Sequence, residues 1–182
     1  MTRRSAIIAS IGGVLALAVG VTAFVFLVGS STGPTINNTV GSASCRVPRL
    51  DGVKVDITLS YAGDAMMSQE PMMATITSDP TSVVAGRVSF VAFNNGPLAH
   101  EMVVLPLSSD GPGMRLTGAD GKINEAHSLG EASRSCAAGV GDGIAPGSIG
   151  WTTITLKPGR YELVCDEPWH YAAGMFTVLT VH

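Results

Sequence analysis

The chain has 182 residues, 14% of them charged and 46% hydrophobic, with 22 glycines, 10 prolines, 3 cysteines and 4 histidines. Once an apolar N-terminal run is set aside, that length suffices for one domain with one core and leaves no room for a second, catalytic domain. The formal charge of −3 falls to −5 when Arg3 and Arg4 are removed from the count, which excludes an overall basic footprint for nucleic acid.

Residues 6 to 29 form a run of 24 without a charged side chain. As a helix it would span roughly 36 Å, enough to cross a hydrocarbon core of about 30 Å with some tilt. The arginines before it predict that the N-terminus stays in the cytoplasm and that everything after residue 30 lies outside the cell membrane, which the chain crosses once. Residues 1–30 are therefore expected to be a transmembrane signal anchor. The length favours an anchor over a cleaved signal peptide, and both put the following domain on the same side. Residues 31–44 are mostly Ser, Thr, Gly and Asn without charge and predict a flexible linker with a reach of roughly 20 Å.

The folded domain is expected over residues 45–182. Long helical periodicity is missing after residue 30, and the glycine and proline content favours short strands joined by turns. Val53, Val55, Ile57 and Leu59 alternate with Lys54, Asp56, Thr58 and Ser60, the pattern of a half-buried strand. Met73 to Thr77 and Val83-Val84 predict shorter strands on either side of the Asp79-Pro80 turn. Arg87 to Phe93 runs into the Asn94-Asn95-Gly96-Pro97 turn, and Met102 to Leu105 follows His100. Residues 107–150 read as one long inserted loop, rich in Gly, Ser and Asp, with a short helix expected around Asn124 to Arg134. A stretch of that length needs to be ordered by packing. Trp151 to Leu156 is the next strand, with Ile154 and Leu156 on its apolar face. With the strands on either side of residues 165–175 this makes seven or eight, enough for an all-β Greek-key sandwich.

The C-terminal loop carries the chemistry. After a Pro158-Gly159 turn and a short strand comes Cys165, then four residues and His170, then four residues and Met175, before an alternating strand to Val181. Each alone has a plain structural use: Cys165 as a buried thiol, His170 as a loop residue, Met175 as core filling, His100 as a hydrogen-bonded strand-end histidine. Together, one thiolate, two imidazoles and a weak axial thioether form a donor set that copper(I) and copper(II) can both occupy with little rearrangement.

On these residues the chain resembles the blue, or type 1, copper proteins of the cupredoxin family, the single-domain group that includes plastocyanin, azurin and the membrane-anchored sulfocyanins. The Cys, four, His, four, Met spacing is similar to that of sulfocyanin and rusticyanin. The resemblance implies a cupredoxin-like fold and one type 1 copper ion held by His100, Cys165, His170 and Met175. It implies a carrier of single electrons, with no catalytic residues, working between redox proteins such as membrane complexes or cytochromes. The chain is expected to be a monomer, attached to the membrane by the N-terminal helix read above from its apolar run. The competing function is copper delivery or storage. A multicopper oxidase or nitrite reductase would need His-x-His pairs, and none of the four histidines is so spaced; a binuclear copper centre would need a second cysteine where Trp169 stands.

Two positions depart from the family pattern. Trp169 precedes the loop histidine, where other members often have Gly, and Glu101 stands where plastocyanin and azurin carry Asn. With Cys165 assigned to copper, Cys45 and Cys136 remain either to pair as a disulfide or to sit as two separate thiols. His127 and His182 are expected on the surface. Met66, Met67, Met72 and Met73 are expected to serve packing, with a second copper(I) role as the alternative.

Overall fold

The structure is a computed structural model that describes residues 45–62 and 73–182. The expected anchor, the linker, and Met66, Met67 and Met72 lie outside the described residues. Among the described residues no helix is long and apolar enough to cross a membrane.

Among the described residues nine strands form two sheets. β1 (Val53–Ala62), β2 (Met73–Asp79), β4 (Gly86–Asn94) and β7 (Ile149–Leu156) make the first, in the order β2-β1-β4-β7. β3 (Ser82–Val83), β5 (Met102–Pro106), β6 (Gly130–Ala132), β8 (Gly159–Val164) and β9 (Phe176–Val181) make the second, in the order β3-β9-β8-β5-β6. β1 runs parallel to β4, and β3 parallel to β9; the other pairs are antiparallel. The all-β expectation holds, with one strand more than the sequence pattern predicts.

The two-residue period explains the packing. Val55, Ile57 and Leu59 of β1 turn inward with Val88, Phe90 and Ala92 of β4 and Ile154 and Leu156 of β7. They meet Met102 and Val104 of β5, Tyr161 and Leu163 of β8, and Leu179 and Val181 of β9 in one core between the sheets. Each fully buried Leu, Ile or Phe contributes roughly 1.5–3 kcal/mol by leaving water. Val84, expected in a strand, ends outside β3 and is 54% exposed.

β5 is buried on both faces. Its alternate residues Val103 and Leu105 belong to a second cluster with Ile123, Val164 and Tyr171, so the 107–150 insertion lies over the outer face of the second sheet. The insertion is ordered, but not by a helix. Residues 130–132 form β6 and pair with β5 through Met102 opposite Ala132 and Val104 opposite Gly130. A strand wins here because the edge of β5 would otherwise leave its backbone donors unpaired. Asn124, in place of starting a helix, accepts the Ala126 N–H in a tight turn (2.9 Å).

Two further features fasten the insertion. Glu162 on β8 is fully buried; it pairs with the Arg115 guanidinium (Nε to Oε2, 2.8 Å) and accepts from the Tyr171 hydroxyl and the Gly113 N–H. Cys45 and Cys136 form a disulfide, 91 positions apart in sequence.

Candidate metal centre

His100 is set in place from both sides. Buried Asn94, the last residue of β4, donates its Nδ2 to the carbonyls of Leu98 (2.7 Å) and Ile144 (2.6 Å), and its Oδ1 accepts the Gly96 N–H (2.8 Å). These bonds close the Asn-Asn-Gly-Pro turn and deliver His100 to a two-residue bridge with Ile144, whose N–H donates to the His100 carbonyl (2.6 Å). The imidazole is fully buried.

Cys165 follows the last residue of β8 and Met175 precedes the first of β9; both are fully buried. Between them lie tight turns. The Met175 N–H donates to the His170 carbonyl (3.0 Å), and the Cys165 N–H donates to the Met175 carbonyl (3.1 Å), so the loop returns on itself. Inside the loop the Trp169 N–H donates to the Gly121 carbonyl (3.0 Å), tying it to the insertion.

The donor atoms converge. His100 Nδ1 and His170 Nδ1 are 3.2 Å apart, and Cys165 Sγ lies 3.8 Å from the first and 3.4 Å from the second. A triangle with those sides has a centre about 2 Å from each corner, close to ordinary metal–imidazole bond lengths. The set of one thiol and two imidazoles, with a thioether in the same loop, fits one type 1 copper ion. His127 and His182 stay on the surface, as the sequence leads one to expect.

Burial sets the protonation states. It holds His100 down at about 4, with His170 adding to the effect, and it lowers His170 as well, so both rings are neutral near pH 7. Burial pushes the Cys165 thiol up to about 12 against the opposing effect of the Glu101 and Glu167 backbone N–H groups. The metal-free site therefore offers two ready imidazoles and one thiol that must give up its proton. The Glu101 N–H donates to Cys165 Sγ over 3.4 Å, a bond that favours the thiolate once formed.

Tyr61 is a member of this site that the sequence reading did not single out. Its rings-centre distances are 5.3 Å to His100 and 6.2 Å to His170, and its hydroxyl faces His170 Nε2 at 3.4 Å. A neutral His170 that offers its Nδ1 lone pair to a metal carries its proton on Nε2, which then donates to Tyr61 Oη. The signal was there: Tyr61 continues the inward parity of Val55, Ile57 and Leu59 to the end of β1.

His100 Nε2, in contrast, is buried without a hydrogen-bond partner among the described residues, and it packs against the turn at Gly96. A Cβ added at Gly96 would lie 2.7 Å from that nitrogen. Gly96→Ala is therefore expected to displace the His100 ring and weaken metal affinity by at least about tenfold, roughly 1.4 kcal/mol, with only a modest change in fold stability. A competition titration against a chelator, beside urea unfolding of the metal-free protein, checks this. Equal affinity in both proteins would show that the ring has room to spare.

A second group stands beside the first. One oxygen each from Glu101, Glu125 and Asp166 lies within 4.8 Å of the others. Burial raises the Glu101 carboxyl to about 8; Lys122 opposes this, and Glu125, Glu167 and Glu131 reinforce it. Glu125 is also raised, by burial and then by its bond to Asp166.

A β-sandwich that carries a thiol, two imidazoles and a thioether between its β4–β5 turn and its β8–β9 loop is cupredoxin-like. No family model and no curated protein sequence matches the chain. Among solved structures it is similar to auracyanin from the photosynthetic bacterium Roseiflexus castenholzii, with 19% identity over 72% of this chain and 99% of that one (TM-score 0.43). It is similar to auracyanin A, a "blue" copper protein from Chloroflexus aurantiacus, at 19% identity over 71% of this chain and 99% of that one (TM-score 0.43). Rusticyanin from Thiobacillus ferrooxidans is 21% identical over 72% of this chain and 79% of that one (TM-score 0.39). Each is a likeness only; the fold rests on the strand pairing above and the site on its own donors.

Proposed function

We propose that the protein is a blue copper electron carrier, anchored in the cell membrane by residues 6–29 with its β-sandwich on the extracytoplasmic side. The observation that carries the copper-carrier reading is the triangle of Cys165 Sγ, His100 Nδ1 and His170 Nδ1, and the anchor is proposed from the uncharged run of residues 6–29. Cys165, His100 and His170 would hold one copper ion, with the Met175 thioether as a further weak donor. Bound copper would supply one-electron exchange between its two oxidation states.

The residues of the chain do the rest. The four donors hang from strand ends and a loop closed by its own backbone bonds, so they stay in place as the charge changes. Cys165 and Met175 are out of reach of solvent, which suits retention of the ion over its delivery. His170 is the ligand nearest the surface; Trp169, 59% exposed, and Leu98, 48% exposed, are chain neighbours of the two histidine segments and offer an apolar face where a redox protein can dock. The tether on residues 31–44 keeps that face near membrane complexes or cytochromes. The protein acts as a monomer and catalyses no reaction of its own.

The test is direct. Copper(II) added to the purified full chain in neutral detergent is expected to give a strong orange-red absorption band that bleaches with ascorbate and returns on reoxidation, over many cycles. A colourless complex, or one that loses its metal on reduction, would sink the carrier reading and leave copper delivery.

A further inference from the structure

We propose that Glu101, Glu125 and Asp166 form a second metal site, one for a hard divalent cation of the calcium type, in the pocket beside the copper ligands. The pocket is open to solvent, holds about 390 Å³, and is also lined by Asp120, Lys122 and Glu131.

Geometry supports a single ion. Calcium binds oxygen at 2.3–2.6 Å, so ligand atoms around one ion lie within about 5 Å of one another. One oxygen from each of the three carboxylates meets that limit, all within 4.8 Å. The donors are carboxylates alone, with neither sulfur nor imidazole among them. That set selects calcium, magnesium or manganese over copper.

The independent sign of a missing ligand is Glu101. Only 6% of the residue is exposed, and its Oε1 is sealed from solvent with no hydrogen-bond partner among the described residues. Buried carboxylate oxygens are ordinarily hydrogen-bonded or bound to a cation. The neighbours do not answer this one. Asp166, 3% exposed, accepts the Ile123 N–H on Oδ1 (2.6 Å), and Glu131 accepts the Ser133 hydroxyl (2.6 Å). Lys122, the basic side chain on the pocket wall, makes no ion pair within 4 Å among the described residues.

The site would communicate with the first one through the backbone. Glu101 and Asp166 are the chain neighbours of His100 and Cys165, and the Glu101 N–H is the donor to Cys165 Sγ. A cation that fixes the two carboxylates fixes both ligand-bearing segments, in the presence or absence of copper. The cation site does not depend on the copper assignment.

The experiment uses the full chain in neutral detergent, copper-free and treated with a chelator that is then removed. Calcium chloride is titrated by isothermal calorimetry and by thermal melting, beside Glu125→Gln, Glu101→Gln and Cys165→Ser. Expected is saturable binding of one calcium per chain, a raised melting temperature, a loss of at least tenfold in affinity in each Glu variant, and no change in Cys165→Ser. Glu125 is partly exposed, so Glu125→Gln keeps the test sound should Glu101→Gln fold poorly. No binding at about 10 mM calcium, above the range of weak oxygen-ligand modules, would overturn the proposal. So would calcium binding that is equally strong in Glu125→Gln, which would mark adventitious surface binding. Calcium binding is read on copper-free protein and copper binding by the visible band, so failure of the carrier reading and failure of the cation site are read separately.

Discussion

Substitution of Cys165 by Ser is expected to leave the copper(II)-loaded protein without its visible band and to remove the pH dependence of loading above the range where the histidines titrate. The band belongs to charge transfer from a thiolate, and among the described residues Cys165 holds the free thiol. Its proton is the one that must leave. Burial keeps the metal-free thiol protonated up to about 12, while His100, held at about 4, and the similarly lowered His170 are already neutral near pH 7. Copper binding therefore releases one proton, and its affinity should rise about tenfold per pH unit from roughly pH 6.5, the ordinary histidine value above which both rings are neutral, to roughly pH 9. Below that window protonation of the histidines takes over and affinity falls more steeply. In Cys165→Ser the slope should flatten, since a serine hydroxyl does not ionise in that range. The fold should survive: the replacement is close in shape, and burying one poorly bonded hydroxyl costs about 1–3 kcal/mol. Chelator competition at several pH values, with urea unfolding of the metal-free variant, reads both effects. A slope near zero in the parent protein would remove the thiolate from the site.

The second large effect is on stability. Replacement of Cys45 and Cys136 by Ser together is expected to lower unfolding free energy by about 3–4 kcal/mol. The bond closes a loop of 91 positions, so most of its contribution comes from restricting the unfolded chain. Urea unfolding in the absence of reductant should show an earlier midpoint, and the parent protein treated with a thiol reductant should approach the variant because Cys136 is exposed. An unchanged midpoint would mean that the bond does not measurably restrict the unfolded chain.

The parts of the molecule that a sequence can disclose are those with a period. Val55, Ile57 and Leu59 alternate because one side of β1 faces the core, and Ile154 and Leu156 do the same in β7. The metal loop was legible for a different reason: three of its four donors lie within eleven consecutive residues, so their proximity needs no knowledge of the fold. The insertion had neither advantage. β6 is three residues long and exists because β5 presents an open edge, which is a tertiary fact. Glu162 reads as an outward charge on a strand, yet it is fully buried because Arg115 and Tyr171, 47 and 9 positions away, come to cover it. The Glu101, Glu125 and Asp166 cluster was hidden for the same reason: its members sit on three separate segments.

Trp169 shows where a family pattern carries physical meaning. Its φ is +71°, a left-handed backbone that glycine adopts freely and that costs a bulky residue about 1–2 kcal/mol. The position asks for Gly, and the chain instead seats an indole against Gly121, where a Cβ would come within 2.6 Å of the ring. The tryptophan and the glycine are therefore a matched pair.

The strand order carries a consequence for synthesis. β3 lies at the edge of the second sheet with β9 as its neighbour, so Ser82 and Val83 wait for Thr180 and Val181. β8 likewise gains its second neighbour when β9 arrives. On a ribosome that makes the chain from its N-terminus, the first sheet can assemble after residue 156, but the second closes when β9 has emerged. Cys165, His170 and Met175 thus leave the ribosomal tunnel as an open thiol-bearing segment and become a pocket when β9 pairs with β3 and β8. Metal acquisition therefore follows the pairing of β9, the strand that joins β3 to β8.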